Sequence, residues 1–296
     1  MANSKLAIII PAFSGLEQVR RCLKCLYNSN HRDFDAIIVD HGITDEITRS
    51  VNEAFPRAFC KRGSPNLWWS GASNLGIRHA LEGGSRWIML LNHDCYVRPD
   101  TIGTLLKHMK NEPHAVIAPV QHLQRSGRDI VGATSCFLLG FTTIIPPASW
   151  YHLRHSSVLI PVPLIAGGRG VILAAEVFDK VGYLDEEHLP HYGADHDFYF
   201  RCRKAGYRLL ACKDARVDID DTMTTAANLA SGLSLQQFVA TLKDRRSHRN
   251  IGDLNVLFSR YFPIPGLAPM GVALNTTRYF TMYLAKTLVH IVARNH

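Results

Sequence analysis

Long uncharged stretches are missing from this 296-residue sequence, and their absence argues against a membrane-spanning protein. A helix that crosses a bilayer needs about 20 apolar residues, and the sequence has no uncharged apolar run close to that length. The start, MANSKLAIIIPAF, also lacks the basic segment and the longer apolar core of a secretory signal peptide. We therefore expect a cytoplasmic protein.

An even set of cysteines and a surplus of acidic residues are missing as well. The seven Cys are scattered and odd in number, which argues against a disulfide framework and favours reduced thiols. Lys and Arg total 33 against 25 Asp and Glu, with a further 15 His. This basic balance favours anionic partners such as nucleotides, nucleic acid or an acidic membrane face. The basic excess is spread and no nucleic-acid-binding module occurs, so we predict no nucleic-acid partner.

Strand-like and helix-like patterns alternate through the first hundred residues. The apolar runs KLAIII, FDAIIVD, AFCKRG and RWIMLL are separated by segments with helical periodicity. This order predicts an α/β fold with a mainly parallel central sheet and helices on both faces. Residues 121–170 lack helical periodicity and are interpreted as irregular strands and loops. Helical patterns return at AAEVFDKVG, at DHDFYFRCRKAG and from about Ser234, broken there by FPIPGLAP. Between them, YRLLAC and ARVDID are predicted to be two strands.

Polar residues and glycines follow each of these predicted strands. In open α/β sheets, ligands bind beyond the carboxyl ends of the strands. The residues that this rule places along one crevice are Pro11, Phe13, Asp40, Gly42, Arg62, Asn92, His93 and Asp94.

Two carboxylates stand out as chemical candidates. In LLNHDCYVRPD, Asp94 offers an oxygen ligand to Mg²⁺ or Mn²⁺, and Asn92 can hydrogen-bond a ribose or a phosphate. In HYGADHDFYF, Asp195 stands at a helix start, where the helix dipole keeps a carboxylate ionised and fit to act as a general base. The plainer alternatives are that Asp94 caps a turn and that Asp195 and Asp197 are capping acids.

Glycine and tryptophan mark two further positions. Gly168 in LIAGGRG either lets the backbone approach a ligand closely or makes a tight turn. Trp69, beside Trp68, either stacks on a ligand ring or belongs to the core.

Together these motifs resemble the family 2 glycosyltransferases, inverting enzymes of GT-A fold, and particularly their bacterial rhamnosyltransferase-like members. The resemblance runs from about Leu6 to Asp221. IIVDHGITDEI is similar to the Val-Asp-Asp-Gly-Ser-Thr-Asp segment of the family, which implies that Asp40 contacts the nucleotide base. NLWWSGASNLGIRHAL resembles the helix of the family that lies near the nucleotide. That likeness implies such a place for Asn66, Gly71, Asn74 and Gly76.

The chemical motifs of the family fall on the two candidate carboxylates. LLNHDCYV stands where the family has Asp-x-Asp or Asn-Asn-Asp, so Asp94 is implied to bind the metal that holds the donor diphosphate. YGADHDFYFRCRKAGYRL resembles the segment that carries the catalytic base, here Asp195. His93 departs from the pattern in the middle of the metal motif, and Ala194 replaces a Glu. The segment ARVDIDD has acids where the family often has a metal-binding His, so Asp220 is implied as a second ligand.

The resemblance also implies an organisation and partners. It implies a Rossmann-like GT-A domain over residues 1–225, with a nucleotide-sugar half (1–96) and an acceptor half (97–225), and a helical extension over 226–296. The implied donor is a nucleoside-diphosphate sugar with Mn²⁺ or Mg²⁺. The implied acceptor is a saccharide or lipid-linked glycan of bacterial surface polysaccharide biosynthesis.

The tail carries a predicted amphipathic helix. A basic stripe is formed by Arg278, Lys286, His290 and Arg294, and apolar residues off that stripe are Phe280, Leu284, Leu288 and Ile291. Such a helix either makes peripheral contact with an anionic membrane or packs on its own catalytic domain or on a twin subunit in a homodimer.

Two other functions stay open. A sugar nucleotidyltransferase would need a basic, Gly-rich loop after the first strand, and PAFSGLEQ contains neither Arg nor Lys. An inactive GT-A-like binding subunit would agree with the departures at His93 and Ala194.

Overall fold

The computed structural model of the chain describes residues 6–221 and 233–294, with side chains as far as residue 288. The described residues form two compact units. The first unit contains the chain up to Ala133, then Ile145–Pro190 and Ala194–Asp220; the second contains Thr134–Ile144, His191–Gly193 and the chain from Asp221. The division at residue 225 stays a prediction, and these units differ from it by taking two inner segments into the second unit.

Twelve strands and ten helices are present in the described ranges. The strands are β1 (Leu6–Ala12), β2 (Asp35–Asp40), β3 (Phe59–Arg62), β4 (Trp87–Leu91), β5 (Cys95–Val97), β6 (Ala115–Leu123), β7 (Asp129–Ile130), β8 (Thr134–Cys136), β9 (Phe141–Ile144), β10 (Leu159–Pro161), β11 (Arg169–Ala174) and β12 (Arg208–Ile219). The helices are α1 (Leu16–Tyr27), α2 (Glu46–Ala54), α3 (Trp68–Glu82), α4 (Thr101–Asn111), α5 (Ala148–Arg154), α6 (Glu176–Val181), α7 (Ala194–Lys204), α8 (Leu235–Thr241), α9 (Ile251–Tyr261) and α10 (Ala268–Arg294). Short 3-10 turns occur at Pro65–Leu67 and Phe137–Leu139.

The first unit is built on one large sheet in the order β10-β12-β6-β11-β4-β1-β2-β3, with β5 paired to β12 and β7 paired to β6. β1 runs parallel to β2 and β4, and β2 runs parallel to β3. β11 runs antiparallel to both β4 and β6. Strands β1 to β4 are therefore parallel to one another as expected, whereas the antiparallel β11 makes the sheet mixed.

Burial explains why the central strands are so apolar. Every residue of β1 and β4 is buried, because α3 packs on β1 and β2 while α4 packs on β6 and β12. The two strands predicted at YRLLAC and ARVDID form the single strand β12, whose register against β6 shifts between Cys212 and Arg216. The α/β expectation is confirmed.

The second unit combines the β8–β9 hairpin with α8, α9 and α10. Phe137 packs edge-on against Phe258, with ring centroids 5.3 Å apart, and Asn275 Nδ2 donates to the Gly140 carbonyl oxygen at 2.7 Å. Ser234 and Gln237 form a capping box at the start of α8. No helix in the described ranges has both the length and the apolar character needed to cross a membrane.

The predicted basic stripe of α10 is not a simple exposed face. The Arg278 guanidinium lies 3.9 Å from the Phe141 ring centroid and 4.9 Å from that of Tyr279. Phe280, Leu284 and Leu288 are 39%, 43% and 63% exposed. The predicted His290, Ile291 and Arg294 side chains lie outside the described residues.

Candidate functional site

The turn after β4 and the turn before β11 meet at one edge of the sheet. The carboxyl ends of β1 to β4 lie along this edge, and β11 begins there because it is antiparallel to β4. The Asn92 N–H donates to the Gly168 carbonyl oxygen at 2.9 Å. The two turns are thereby joined through main-chain atoms.

Trp69 is held against this junction. Its indole Nε1–H donates to Asn92 Oδ1 at 2.9 Å. Gly168 leaves room for the ring, since a Cβ there would lie 2.7 Å from Trp69 Cζ2. Trp69 thus orients the Asn92 side chain, while stacking of Trp69 on a ligand stays a prediction.

Trp68, just before Trp69, has a strained backbone. Its φ of 53° and ψ of −167° make it the one non-glycine residue with positive φ in the described ranges. A conformation of this kind costs about 1–3 kcal/mol and persists only where the surroundings enforce it. The strain lies at the start of α3, one residue before the indole that holds Asn92.

His93 contacts the end of β1. Its Nδ1 lies 3.2 Å from the Pro11 carbonyl oxygen, and because a carbonyl oxygen only accepts, Nδ1 carries the ring proton. Nε2 lies beside Gly15, where φ is 84° and an added Cβ would be 3.2 Å from that nitrogen. His93 therefore packs between β1 and the start of α1; a role toward a diphosphate or a metal stays a prediction.

The pairing of β5 with β12 brings Asp94 and Asp220 together. The Asp220 N–H donates to the Asp94 carbonyl oxygen at 2.9 Å, and the Tyr96 hydroxyl donates to Asp220 Oδ2 at 3.5 Å. Burial, and then the Asp220 carboxylate, raise the pKa of Tyr96, so the phenol keeps its proton as a donor.

The carboxylates of Asp94 and Asp220 fit a cation that is shared with a substrate. Across residues 6–221 and 233–294, no group of three or more His, Cys, Asp or Glu side chains is arranged to hold a metal ion. Asp94 and Asp220 nevertheless supply two partly exposed carboxylates. Mg²⁺ is commonly held by one or two carboxylates together with substrate phosphate oxygens and water. The pair therefore suits an open site rather than a closed, all-protein one.

Asp195 lies in the first turn of α7. Its side chain is 18% exposed, and His196 Nε2 is 3.9 Å from its Oδ2. One turn later the Tyr199 hydroxyl donates to the Gly167 carbonyl oxygen at 3.0 Å. Burial, and then the Asp195 carboxylate, raise the pKa of Tyr199. Tyr199 therefore fastens the helix that carries Asp195 to the glycine pair that also meets Asn92.

Asp197, the second acid of the motif, has a structural role. It is fully buried, and its Oδ2 accepts from Arg201 Nε at 2.8 Å. Arg201 also donates to the carbonyl oxygens of Val181 and Tyr183 at 2.7 and 2.8 Å. Asp195 is thus the acid of the pair that solvent can reach.

Asp40 is buried after β2 and its carboxylate is fully engaged. Oδ1 accepts from the Gly42 N–H at 3.0 Å and from Arg62 Nη1 at 2.7 Å. Oδ2 accepts from the N–H and the hydroxyl of Thr48 at 3.1 and 2.6 Å. Asp40 therefore shapes this loop and positions Arg62, while a contact with a nucleotide base stays a prediction.

Phe13 borders a small cleft at the same edge. Its ring lies 5.4 Å from the His41 ring, and a Cβ on Gly42 would collide with the Phe13 carbonyl oxygen. The cleft has a volume of about 190 Å³ and is lined by residues 13–16 together with Ile43, Thr44, Glu46 and Ile47. It is formed by the loops that follow β1 and β2.

The residues assigned to the nucleotide by resemblance lie in and before α3. Asn74 is buried, its Nδ2 donates to the Leu184 carbonyl oxygen at 2.9 Å, and its Oδ1 accepts from the Leu184 N–H at 3.1 Å. A Cβ on Gly71 would lie 2.9 Å from Glu186 Oε2. Asn66 is exposed in a 3-10 turn. These contacts hold α3 against the loop before α7. A contact of these residues with a nucleotide-sugar donor stays a prediction.

Arg169 belongs to this edge, although it is not among the residues that the sequence predicts there. Its Nη1 donates to Gln121 Oε1 at 3.1 Å, and Gln121 Nε2 donates to the Ala166 carbonyl oxygen at 2.6 Å. Its positive charge lowers the pKa of Tyr199 and of Cys95, although burial raises both pKa values by more. An Arg directly after the glycine pair is the signal in the sequence that indicates it.

A family model matches this site-bearing part of the chain. The model described as Glycosyl transferase family 2 covers residues 7–163, just over half of the sequence. The chain belongs to glycosyl transferase family 2. The matched range includes the strand ends up to Asp94 and stops before β11 and α7.

Relatives of this family 2 chain include proteins from Shigella flexneri and Mycobacterium tuberculosis. It is 29% identical over 135 residues to the dTDP-rhamnosyl transferase RfbF of Shigella flexneri, which covers 46% of this chain and 43% of that protein. It is 27% identical over 173 residues to the uncharacterized protein Rv1525 of Mycobacterium tuberculosis, over 55% of this chain. The match spans 59% of that relative's length.

A solved structure of GalNAc-T7 with UDP, GalNAc and Mn²⁺ shares the fold of this family 2 chain. The TM-score is 0.61 at 12% sequence identity, covering 98% of this chain and 58% of that chain. The likeness confirms the GT-A expectation for the fold.

Proposed function

We propose that this chain is a metal-assisted, inverting glycosyltransferase that moves a sugar from a nucleoside-diphosphate sugar to a hydroxyl of a saccharide or lipid-linked glycan. One observation carries the proposal. The Gly167–Gly168 pair accepts from the Asn92 N–H at 2.9 Å and from the Tyr199 hydroxyl at 3.0 Å. The turn that leads to Asp94 and the helix that carries Asp195 therefore share one backbone anchor.

The proposed chemistry assigns a different task to each carboxylate. Asp94 and Asp220 would hold Mn²⁺ or Mg²⁺, which when bound offsets the charge that develops on the diphosphate leaving group. Asp195 takes the proton from the acceptor hydroxyl as its oxygen attacks the anomeric carbon. In this proposal Asp195 deprotonates the acceptor hydroxyl, and no carboxylate attacks the sugar itself. The reaction is therefore a single displacement, which inverts the configuration of the anomeric carbon. Asn92, oriented by Trp69, is assigned to the donor.

Replacement of the base tests the transfer step. Asp195→Asn keeps the size of the side chain but removes its basicity, so transfer should fall by roughly 10²- to 10⁴-fold. Donor binding, measured by calorimetry, should stay unchanged. Asp214→Asn, an exposed position on β12, is the matched control. Transfer retained in the Asp195 variant would sink the assignment.

Replacement of the first carboxylate tests the metal site. Asp94→Ala should abolish the dependence of donor binding on Mn²⁺ or Mg²⁺, because one of two cation ligands is lost. Titrations of donor with and without the cation report this directly. An undiminished cation effect in Asp94→Ala would count against the proposed site.

The donor is proposed to carry a deoxysugar. The likeness to the dTDP-rhamnosyl transferase of Shigella flexneri makes dTDP-rhamnose the first compound to examine. A thermal-shift screen of nucleotide sugars, with and without Mn²⁺, should show stabilisation by that donor. Release of nucleoside diphosphate in the same screen separates an active enzyme from an inactive binding subunit.

A peripheral membrane contact is proposed for α10. Its exposed apolar side chains include Met270, Leu274, Met282, Leu284 and Leu288, each between 43% and 63% exposed, and Phe280 at 39%. Such a face suits the surface of a bilayer that presents a lipid-linked acceptor. In liposome flotation, Leu284→Asp with Leu288→Asp should release the protein from anionic vesicles. Equal flotation of this variant and the original chain would contradict the contact.

A further inference from the structure

The second unit is poor in acid. Its residues include eight Lys or Arg but only three Asp, at positions 221, 244 and 253, and no Glu. The stretches 222–232 and 289–296, which fall in this part of the sequence, contain no Asp or Glu. No carboxylate side chain from those stretches is therefore available to neutralise a basic cluster in this unit.

Three basic groups of this unit gather around the Tyr279 ring. The rings of His248 and Tyr279 have centroids 5.2 Å apart, and the Arg249 and Arg278 guanidinium carbons lie 5.3 and 4.9 Å from the Tyr279 centroid. The ring of Tyr192 approaches His248 edge-on at 6.1 Å. We call His248, Arg249 and Arg278 the basic cluster.

The guanidinium groups of the basic cluster have unused donors. Arg249 is only 5% exposed, and its Nε and the Nη1 of Arg278 are buried with no hydrogen-bond partner among the described residues. Aromatic rings stack on the faces of a guanidinium, whereas its N–H groups point outward in its plane. The ring contacts therefore fix the orientation of the two side chains and leave these in-plane donors unsatisfied.

The basic cluster also lacks a counter-charge among the described residues of its unit. Asp253 is influenced by Arg245, and Asp244 Oδ1 accepts from the Arg246 N–H. Burial, then the charges of Arg249 and Arg278, lower the pKa of His248 to about 4. His248 is therefore neutral near pH 7, and the two guanidinium charges, that of Arg249 being buried, are costly without a counter-charge nearby.

We propose that the basic cluster binds a phosphate or diphosphate group of the acceptor. Guanidinium forks match phosphate oxygens, and two guanidinium groups beside one ring, each with an unpartnered donor, suit a multiply charged oxyanion better than a single carboxylate. The donor diphosphate is assigned to Asp94 and Asp220 in the first unit, so this second site serves the other substrate. The proposal rests on the proposed function for the identity of the ligand, while its test measures binding alone.

Pyrophosphate is the first probe of the basic cluster. At about 100 times its Kd, pyrophosphate should raise the Tm of the full chain by roughly 5 °C. Arg249→Met and Arg278→Met should each weaken its binding at least about tenfold, measured by calorimetry. Both variants should keep or raise the Tm without ligand, because a buried, uncompensated charge is removed. Arg246→Met removes the same charge from an exposed side chain and should change neither quantity.

Geranyl diphosphate and geraniol, compared in detergent, identify the source of the phosphate. Tighter binding of geranyl diphosphate than of geraniol, lost in Arg249→Met and Arg278→Met, would support an acceptor site. Binding of pyrophosphate without geranyl diphosphate would overturn that assignment in favour of free phosphate. Lack of saturable binding by either, or binding unaffected by both substitutions, would overturn the site itself.

The donor experiments keep the two proposals separate. If Asp94→Ala and Asp195→Asn behave as expected but the basic cluster binds no phosphate, only this inference fails. If phosphate binds the cluster while no nucleotide sugar binds the first unit, the proposed function fails and the anion site stands without its acceptor assignment.

Discussion

At the scale of single residues, Gly168 decides how closely Trp69 approaches the turn after β4. In Gly168→Ala the new Cβ would lie 2.7 Å from Trp69 Cζ2, so the indole has to move and its hydrogen bond to Asn92 is lost. We expect donor binding to weaken by roughly three- to tenfold, the range for one hydrogen bond. Calorimetry with a nucleotide sugar measures this affinity. An unchanged affinity would mean that Asn92 does not need the hydrogen bond from Trp69 to bind the donor.

A substitution of Asp40 tests whether this carboxylate stabilises the fold or contacts the nucleotide base. It is fully buried and accepts four hydrogen bonds from Gly42, Thr48 and Arg62. Asp40→Ala should lower the free energy of unfolding by about 3 kcal/mol, because the Gly42 and Thr48 donors at this buried position lose their acceptor. Urea denaturation measures the change. Full stability combined with lost nucleotide binding would instead support the base contact that the family resemblance implies.

Individual residues differed in how far the sequence could locate them. Asp94 and Asn92 were predictable because carboxyl ends of parallel strands meet at one edge, whatever the rest of the chain does. The place of Arg169 at this edge was not predictable, since its strand is antiparallel. Its side chain is held by a hydrogen bond to Gln121, which is 48 residues away in the sequence. The basic cluster likewise joins the neighbours His248 and Arg249 to Arg278, which no local pattern connects with them.

At the scale of elements, α4 contains a glycine that no contact requires. Gly103 lies within the helix, and a Cβ there would meet only the Cβ of His31, at 3.8 Å. Gly103→Ala should therefore raise the free energy of unfolding by roughly 0.5–1 kcal/mol, through the higher helix propensity of Ala. Thermal and urea denaturation would record this gain. A loss of stability would show that His31 tolerates no extra methyl group.

The hydrophobic periodicity of the sequence predicted most helices and strands, but it did not predict which strands pair with one another. The runs KLAIII, FDAIIVD and RWIMLL became β1, β2 and β4 because burial on both faces leaves a clear apolar signal. In contrast, the antiparallel course of β11 is set by contacts with β4 and β6. Two predicted strands merged into β12, since a register shift, and not a break, separates Cys212 from Arg216.

At the scale of the whole molecule, two groups of the second unit give opposite pH dependences. Burial raises the pKa of Asp253 from 3.8 to about 6, against the opposing charge of Arg245. Burial, Arg249 and Arg278 lower the pKa of His248 from 6.5 to about 4. Between pH 4 and 6, folding takes up a proton at Asp253 and releases one at His248. Stability therefore falls with rising pH through Asp253 and rises through His248, and the two slopes largely cancel.

Single substitutions should reveal each slope. In Asp253→Asn the Tm should rise from pH 4 to 6.5, because only the His248 contribution is left. In His248→Gln the Tm should fall over pH 4 to 6, by the Asp253 contribution. Differential scanning calorimetry across this range measures both, with Asp244→Asn as a control at an exposed acid. Parallel curves for both variants and the original chain would refute the linkage.

The anchor at Gly167 and Gly168 has a consequence for divergence within a family. Both of its acceptors are carbonyl oxygens, which no substitution at those two positions can delete. Side chains around the proposed donor and acceptor sites can therefore change while the spacing between the segments that carry Asp94 and Asp195 is inherited. New specificities can arise on such a scaffold while the proposed catalytic geometry is kept.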